Sequence, residues 1–153
     1  MIDTSVLVAG LVENHEFHQL ARPYVAAAAE GRVPGIVLAE TWAVLRRGPW
    51  NLDAATVQQA LAPWATSNRI AATPSEVYAE VLRVGRSLNL GGNVHDLLVA
   101  HTCVAFDLPL ATFDRRQAAL ARTLPDLTVT LLPPEESSSP GAVPRQALPD
   151  QLA

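Results

Sequence analysis

Short apolar runs alternate along this chain with longer stretches of helical periodicity. The short runs predict strands: a very short one ending at Ile2-Asp3, then 33–35, 70–72, 110–112 and 128–132. The longer stretches predict helices over roughly 14–30, 36–47, 53–65, 74–89, 95–107 and 115–123. Alternation of this kind points to α/β architecture with a largely parallel sheet. Thr73-Pro74-Ser75-Glu76 reads as a helix start, with Thr73 as cap, proline in the first turn and Glu76 placed for a capping box. Gly91-Gly92 breaks the chain before the helix that carries Asp96. Beyond Leu132 the pattern stops, and Pro133-Pro134-Glu135-Glu136-Ser137-Ser138-Ser139-Pro140-Gly141 has the composition of a linker. The expected organisation is one domain over 1–133 and a mostly disordered tail over 134–153.

Against this pattern four acids stand out: Asp3, Glu40, Asp96 and Asp114, each beside a strongly apolar segment. A charge set against core surface is costly unless it is paired or binds a metal. Each acid also has a plainer reading. Asp3 suits an Asx turn or a helix N-cap, and Asp96 and Asp114 sit where helix caps are common. Glu40 lies three and four residues from Ile36, Val37, Ala43 and Val44, so it points along an apolar stripe, or it could pair with Arg46 or Arg47. Taken together, the four are explained most economically by one carboxylate pocket that holds a divalent cation.

Composition narrows the field. The 153 residues are 49% hydrophobic and 17% charged, which is globular. No apolar run approaches the ~20 residues of a membrane span, and no signal-peptide pattern opens the chain, so a cytoplasmic location is expected. The single cysteine, Cys103, excludes an internal disulfide framework and a cysteine-based zinc cage. A net charge of −4 argues against broad non-specific nucleic-acid binding, though not against a local basic rim. All eleven basic residues are arginines, so a receiver-type phosphorylation module, which needs a lysine, is disfavoured. Arg115 and Arg116 could supply phosphate contacts beside Asp114, with solvated surface as the alternative. His15 and His18 share a predicted helix face and read as polar surface or rim. Trp42, Trp50 and Trp64 could stack on bases, but packing or an interface is the better expectation.

Four successive stretches carry a family resemblance: Ile2-Asp3-Thr4-Ser5-Val6-Leu7, Val37-Leu38-Ala39-Glu40, Val94-His95-Asp96-Leu97-Leu98-Val99-Ala100 and Ala111-Thr112-Phe113-Asp114-Arg115-Arg116. In order and spacing they resemble the motifs of PIN-domain ribonucleases, and within that family most of all the VapC-type toxins of bacterial toxin–antitoxin pairs. The resemblance implies a three-layer α/β/α sandwich with a short, mainly parallel central sheet, whose strand ends gather the acids around Mg²⁺ or Mn²⁺. It makes Asp3 and Asp96 the principal metal ligands, with Glu40 and Asp114 completing the catalytic pocket. Thr4 and Thr112 match hydroxyl positions that would orient the carboxylates. It further implies RNA as substrate, a cognate antitoxin protein and a homodimer. One departure is visible: the family usually has several strand residues before its first Asp, whereas only Met1 and Ile2 precede Asp3 here. A catalytically inactive PIN-like module that binds RNA or a partner around a structural cation is the competing expectation.

Overall fold

Helices dominate the protein, and its strands are reduced to two or three residues each. The computed structural model describes residues 1–87 and 94–132. The Gly91-Gly92 break and the proposed tail lie outside the described residues.

The first helix, α1 (Thr4–Leu11), begins at once, because the Asp3 side chain accepts a hydrogen bond from the Val6 N–H and caps it. This helix was absent from the predicted elements. It buries Val6, Leu7, Val8 and Ala9 in succession. A helix that is apolar on every side shows no 3.6-residue period to detect. Next comes α2 (His18–Glu30), shorter at its start than the predicted 14–30. The His15 carbonyl accepts from the His18 N–H, and its ring Nδ1 accepts from the Phe17 N–H, so residues 14–17 form a turn. His15 and His18 therefore do not share a helix face. Gly10 allows the two helices to meet closely: a Cβ there would lie 2.4 Å from Val25 Cγ2.

The chain then forms β1 (Val33–Pro34) and α3 (Gly35–Leu45), the helix that carries Glu40. Its buried face is Val37, Thr41 and Leu45, each four residues from the next. Glu40 borders that face rather than lying within the expected apolar stripe, and Val44 is exposed. A loop containing Trp50 leads to α4 (Ala54–Leu61), capped by Asp53. In that loop Gly48 has φ of +60°, and the Arg46 guanidinium donates to the Leu52 carbonyl at 2.6 Å. Arg46 is thus committed to the loop rather than to Glu40.

β2 (Ile70–Ala71) precedes α5 (Ser75–Ser87) and α6 (Val94–Ala105). Thr73 was expected to act as a cap; its hydroxyl instead meets Thr102 Oγ1 at 2.8 Å, tying the start of α5 to α6. β3 (Leu110–Thr112), α7 (Arg115–Ala121) and β4 (Val129–Leu131) complete the described chain.

Among the described residues all strand pairing is parallel. β1 pairs with β2, β3 pairs with β4, and Ile2 bridges to Ala111 on the other side of β3. The expected central sheet is therefore present as two short ladders, with helices packed on both faces of an α/β/α arrangement. Its core runs from Ile2, Leu7 and Val33 through Leu45 to Cys103 and Leu110. A smaller cluster of Val77, Val81, Leu97 and Leu98 seals α5 against α6. No helix among the described residues is long and apolar enough to cross a membrane.

Candidate active site

Asp3 and Asp114 both sit at carboxyl ends of parallel strands, the place where α/β folds gather ligands. Asp3 follows the Ile2 bridge, and Asp114 lies two residues beyond the end of β3. The hydrogen bonds from the Asp3 N–H to the Ala111 carbonyl and from the Ala111 N–H to the Met1 carbonyl hold these two strand ends in register. Asp96 lies in the first turn of α6, and Glu40 lies midway along α3. All four acids line one cleft of about 670 Å³, together with Thr4, Ser5 and Arg115.

The hydroxyls form a frame around the carboxylates. Asp3 Oδ1 accepts from Ser5 Oγ at 2.7 Å and from the Val6 N–H at 3.0 Å, while Oδ2 accepts from Thr112 Oγ1. Thr112 Oγ1 in turn accepts from the Asp114 N–H at 2.8 Å, so one hydroxyl connects the first acid to the last. Asp114 Oδ1 caps α7 by accepting from the Arg116 and Gln117 N–H groups. Thr4 Oγ1 donates not to its neighbour Asp3 but to Glu40 Oε2, at 2.8 Å. The other oxygen, Glu40 Oε1, meets His95 Nδ1 at 2.6 Å. The capping reading of Asp3 and Asp114 is therefore correct as far as it goes, and both also line the cleft.

Burial and mutual repulsion act on these acids together. Asp3 is only 6% exposed, and burial pushes its carboxyl up to about 6. The Thr112 and Ser5 hydroxyls and the Val6 N–H oppose that rise, and the nearby Asp114 charge adds to it. The Asp96 carboxyl is also raised, first by partial burial and then by the charges of Asp114 and Glu40; His95 and Arg116 pull it back. Asp114 thus acts on both Asp3 and Asp96, and Glu40 acts on Asp96, behind the larger effect of burial.

A metal would have to fit this donor set. Among the described residues, no three His, Cys, Asp or Glu side chains converge tightly enough to enclose an ion. Mg²⁺ does not need such a cage, since it keeps several waters and takes one or two carboxylates directly. The acids and the hydroxyls between them offer hard oxygen donors only, and Cys103 is buried with its thiol pushed up to about 12. The residues fit a hydrated divalent cation and do not fit a dehydrated protein cage.

Several cleft residues were missed or assigned elsewhere from the sequence. Ser5 holds Asp3 and also accepts from the Phe113 N–H at 2.9 Å. Gln117, almost fully buried, donates to the Asp96 carbonyl and locks α7 to α6. His95 was assigned no part in the site, yet it meets Glu40. Glu16 is a fifth acid on the cleft wall, and His15, Phe17 and Trp50 stand beside it. The turn at 14–17 brings His15, Glu16 and Phe17 round to the cleft, and the loop after α3 brings Trp50; periodicity gave no sign of that turn. Of the two arginines, Arg115 lines the cleft; Arg116 is exposed and acts on Asp96 through its charge. Of the other tryptophans, Trp64 is buried and Trp42 half-exposed on α3.

Short parallel strands between helical layers, with an acid-lined cleft at the strand ends, define an α/β protein with its candidate site at the carboxyl ends of its strands. The chain matches the PIN domain over residues 1–123 and belongs to that family. PIN domains are in general nucleases that act on RNA and use divalent metal ions. No curated protein matches the chain.

Proposed function

We propose that this protein is a metal-dependent endoribonuclease that hydrolyses RNA phosphodiester bonds and acts in the cytoplasm as the toxin of a type II toxin–antitoxin pair. The observation that carries the nuclease reading is the convergence of Asp3, Glu40, Asp96 and Asp114, from four separate parts of the chain, on one cleft. Asp3 and Asp96 would hold Mg²⁺ or Mn²⁺, with Glu40 and Asp114 completing the pocket directly or through water. When bound, the ion supplies Lewis-acid polarisation of a phosphoryl oxygen and a lowered pKa for water. The chain's own residues do the rest. Thr112 and Ser5 fix the Asp3 carboxylate, and Thr4 and His95 fix both oxygens of Glu40. Arg115 offers a guanidinium to a phosphate at the cleft wall. The resemblance to VapC-type toxins supports the toxin role, with a cognate antitoxin and a homodimeric state as its corollaries.

A second reading, an inactive module around a structural cation, is favoured by the structural bonds the acids already make: Asp3 and Asp114 cap helices, and Glu40 is engaged by Thr4 and His95. On it, the protein is a PIN-like module that binds RNA or a partner and cuts nothing. Induced expression separates the two. The toxin reading expects growth arrest with the wild-type chain and relief in Asp96→Asn; a binding module is tolerated in both forms.

A further inference from the structure

One wall of the cleft is a run of aromatic rings drawn from three different connections. Phe113, next to Asp114, stacks on Phe17 with centroids 4.9 Å apart and planes 13° from parallel. Phe17 lies 5.9 Å from His15, and His15 lies 5.7 Å from Trp50 at 33°. All four rings line the same cleft as the carboxylates. The Phe17, Phe113 and Trp50 rings all pack against the main core, which anchors the run at both ends. The His15 ring is fixed from behind, because its Nδ1 accepts from the Phe17 N–H at 3.1 Å. That bond places the ring proton on Nε2. Trp50 ends the run, partly exposed, on the loop that Arg46 braces.

We propose that His15 and Trp50 form a stacking subsite for an unpaired nucleobase of the RNA, held beside the reacting phosphate by the rigid Phe17–Phe113 pair. The proposal rests on the ribonuclease reading and adds to it where the substrate's bases go. Aromatic faces are sequence-tolerant partners for bases, because every base presents a π-face. The rings, with Glu16 on the same wall, stand beside the four carboxylates and one arginine, which leaves the phosphate and metal to the acids and the base to the rings. A base still paired in a duplex has its faces covered by stacked neighbours, so the subsite selects single-stranded positions.

The test uses the Asp96→Asn full-length protein in Mg²⁺, so that RNA is bound and not cut. A short, end-labelled single-stranded RNA of mixed sequence is titrated alongside versions in which one residue at a time lacks its base. Binding is expected to weaken by roughly 5-fold to 100-fold when the stacked position is abasic. Trp50→Ala added to this protein should bind the intact strand with a similar loss and become indifferent to the abasic position. Trp50→Phe, which keeps a ring, should retain most of the affinity and the sensitivity. Equal affinity for intact and abasic strands, no binding by any strand, or full sensitivity in a folded Trp50→Ala protein would each overturn the subsite. Failure of the nuclease reading shows up elsewhere, as an absence of metal-dependent cleavage by the wild-type chain.

Discussion

At the scale of single residues, Asp3 carries the greatest electrostatic load. It caps α1, accepts from two hydroxyls, and is still pushed up to about 6 by its burial. Its folded value thus exceeds its unfolded value of 3.8. The folded chain then holds a proton that the unfolded chain has released, so stability falls as pH rises between those two values. A difference of about two units corresponds to about 3 kcal/mol. Denaturant unfolding of the metal-free protein should therefore show the wild type losing about that much relative to Asp3→Asn between pH 4 and 7, with little further change above. Parallel curves for the two proteins would contradict the burial account. Asp114 allows a different separation. Asp114→Asn should keep the α7 cap, whereas Asp114→Ala should lose about 1 kcal/mol of stability with it. Both should lose cleavage, because each lacks the charge; a fully active Asp114→Asn enzyme would remove that acid from the chemistry.

Elements explain which parts of the protein were legible in the sequence. A helix with one apolar face, such as α5, was readable because its period is visible; α6, which buries Leu97 to Ala100 in succession, was readable from its length. So were the strands β1 to β4, set as short runs between turn residues. The α1 helix was not, since Val6 to Ala9 are all buried and leave no polar face to mark the period. The turn at 14–17 was hidden for another reason: it is made by the His15 side chain, which the apolar pattern ignores. The acids themselves were legible as charges misplaced among apolar residues, whereas their partners His95, Ser5 and Gln117 were ordinary polar residues until the fold brought them in. The contact between α1 and α2 gives the prediction at this scale. Gly10→Ala would drive a methyl against Val25, and overpacking of this kind costs about 1–3 kcal/mol. Since Asp3 caps α1, the same change should lower activity as well as melting temperature; an unaltered melt would show that the helices separate freely.

For the molecule as a whole, the proposed metal site would tie folding to metal. Without an ion, Asp3, Asp96, Glu40 and Asp114 repel one another across the strand ends, and an ion that binds only the folded state stabilises it. At a hundred times the dissociation constant that gain is about 2.7 kcal/mol, to be read as a rise in melting temperature with Mg²⁺ or Mn²⁺ that Asp96→Asn diminishes. A melt indifferent to both ions would count against the site. Stability does not distinguish a structural cation from a catalytic one, so cleavage decides between the two readings. The most direct measurement is incubation of total cellular RNA with the purified protein, with and without Mg²⁺ or Mn²⁺, beside a folded Asp96→Asn control. Discrete products that require metal and vanish in the mutant are the predicted result. Intact RNA in every lane, from a preparation that binds metal and carries no bound partner, would contradict the ribonuclease account.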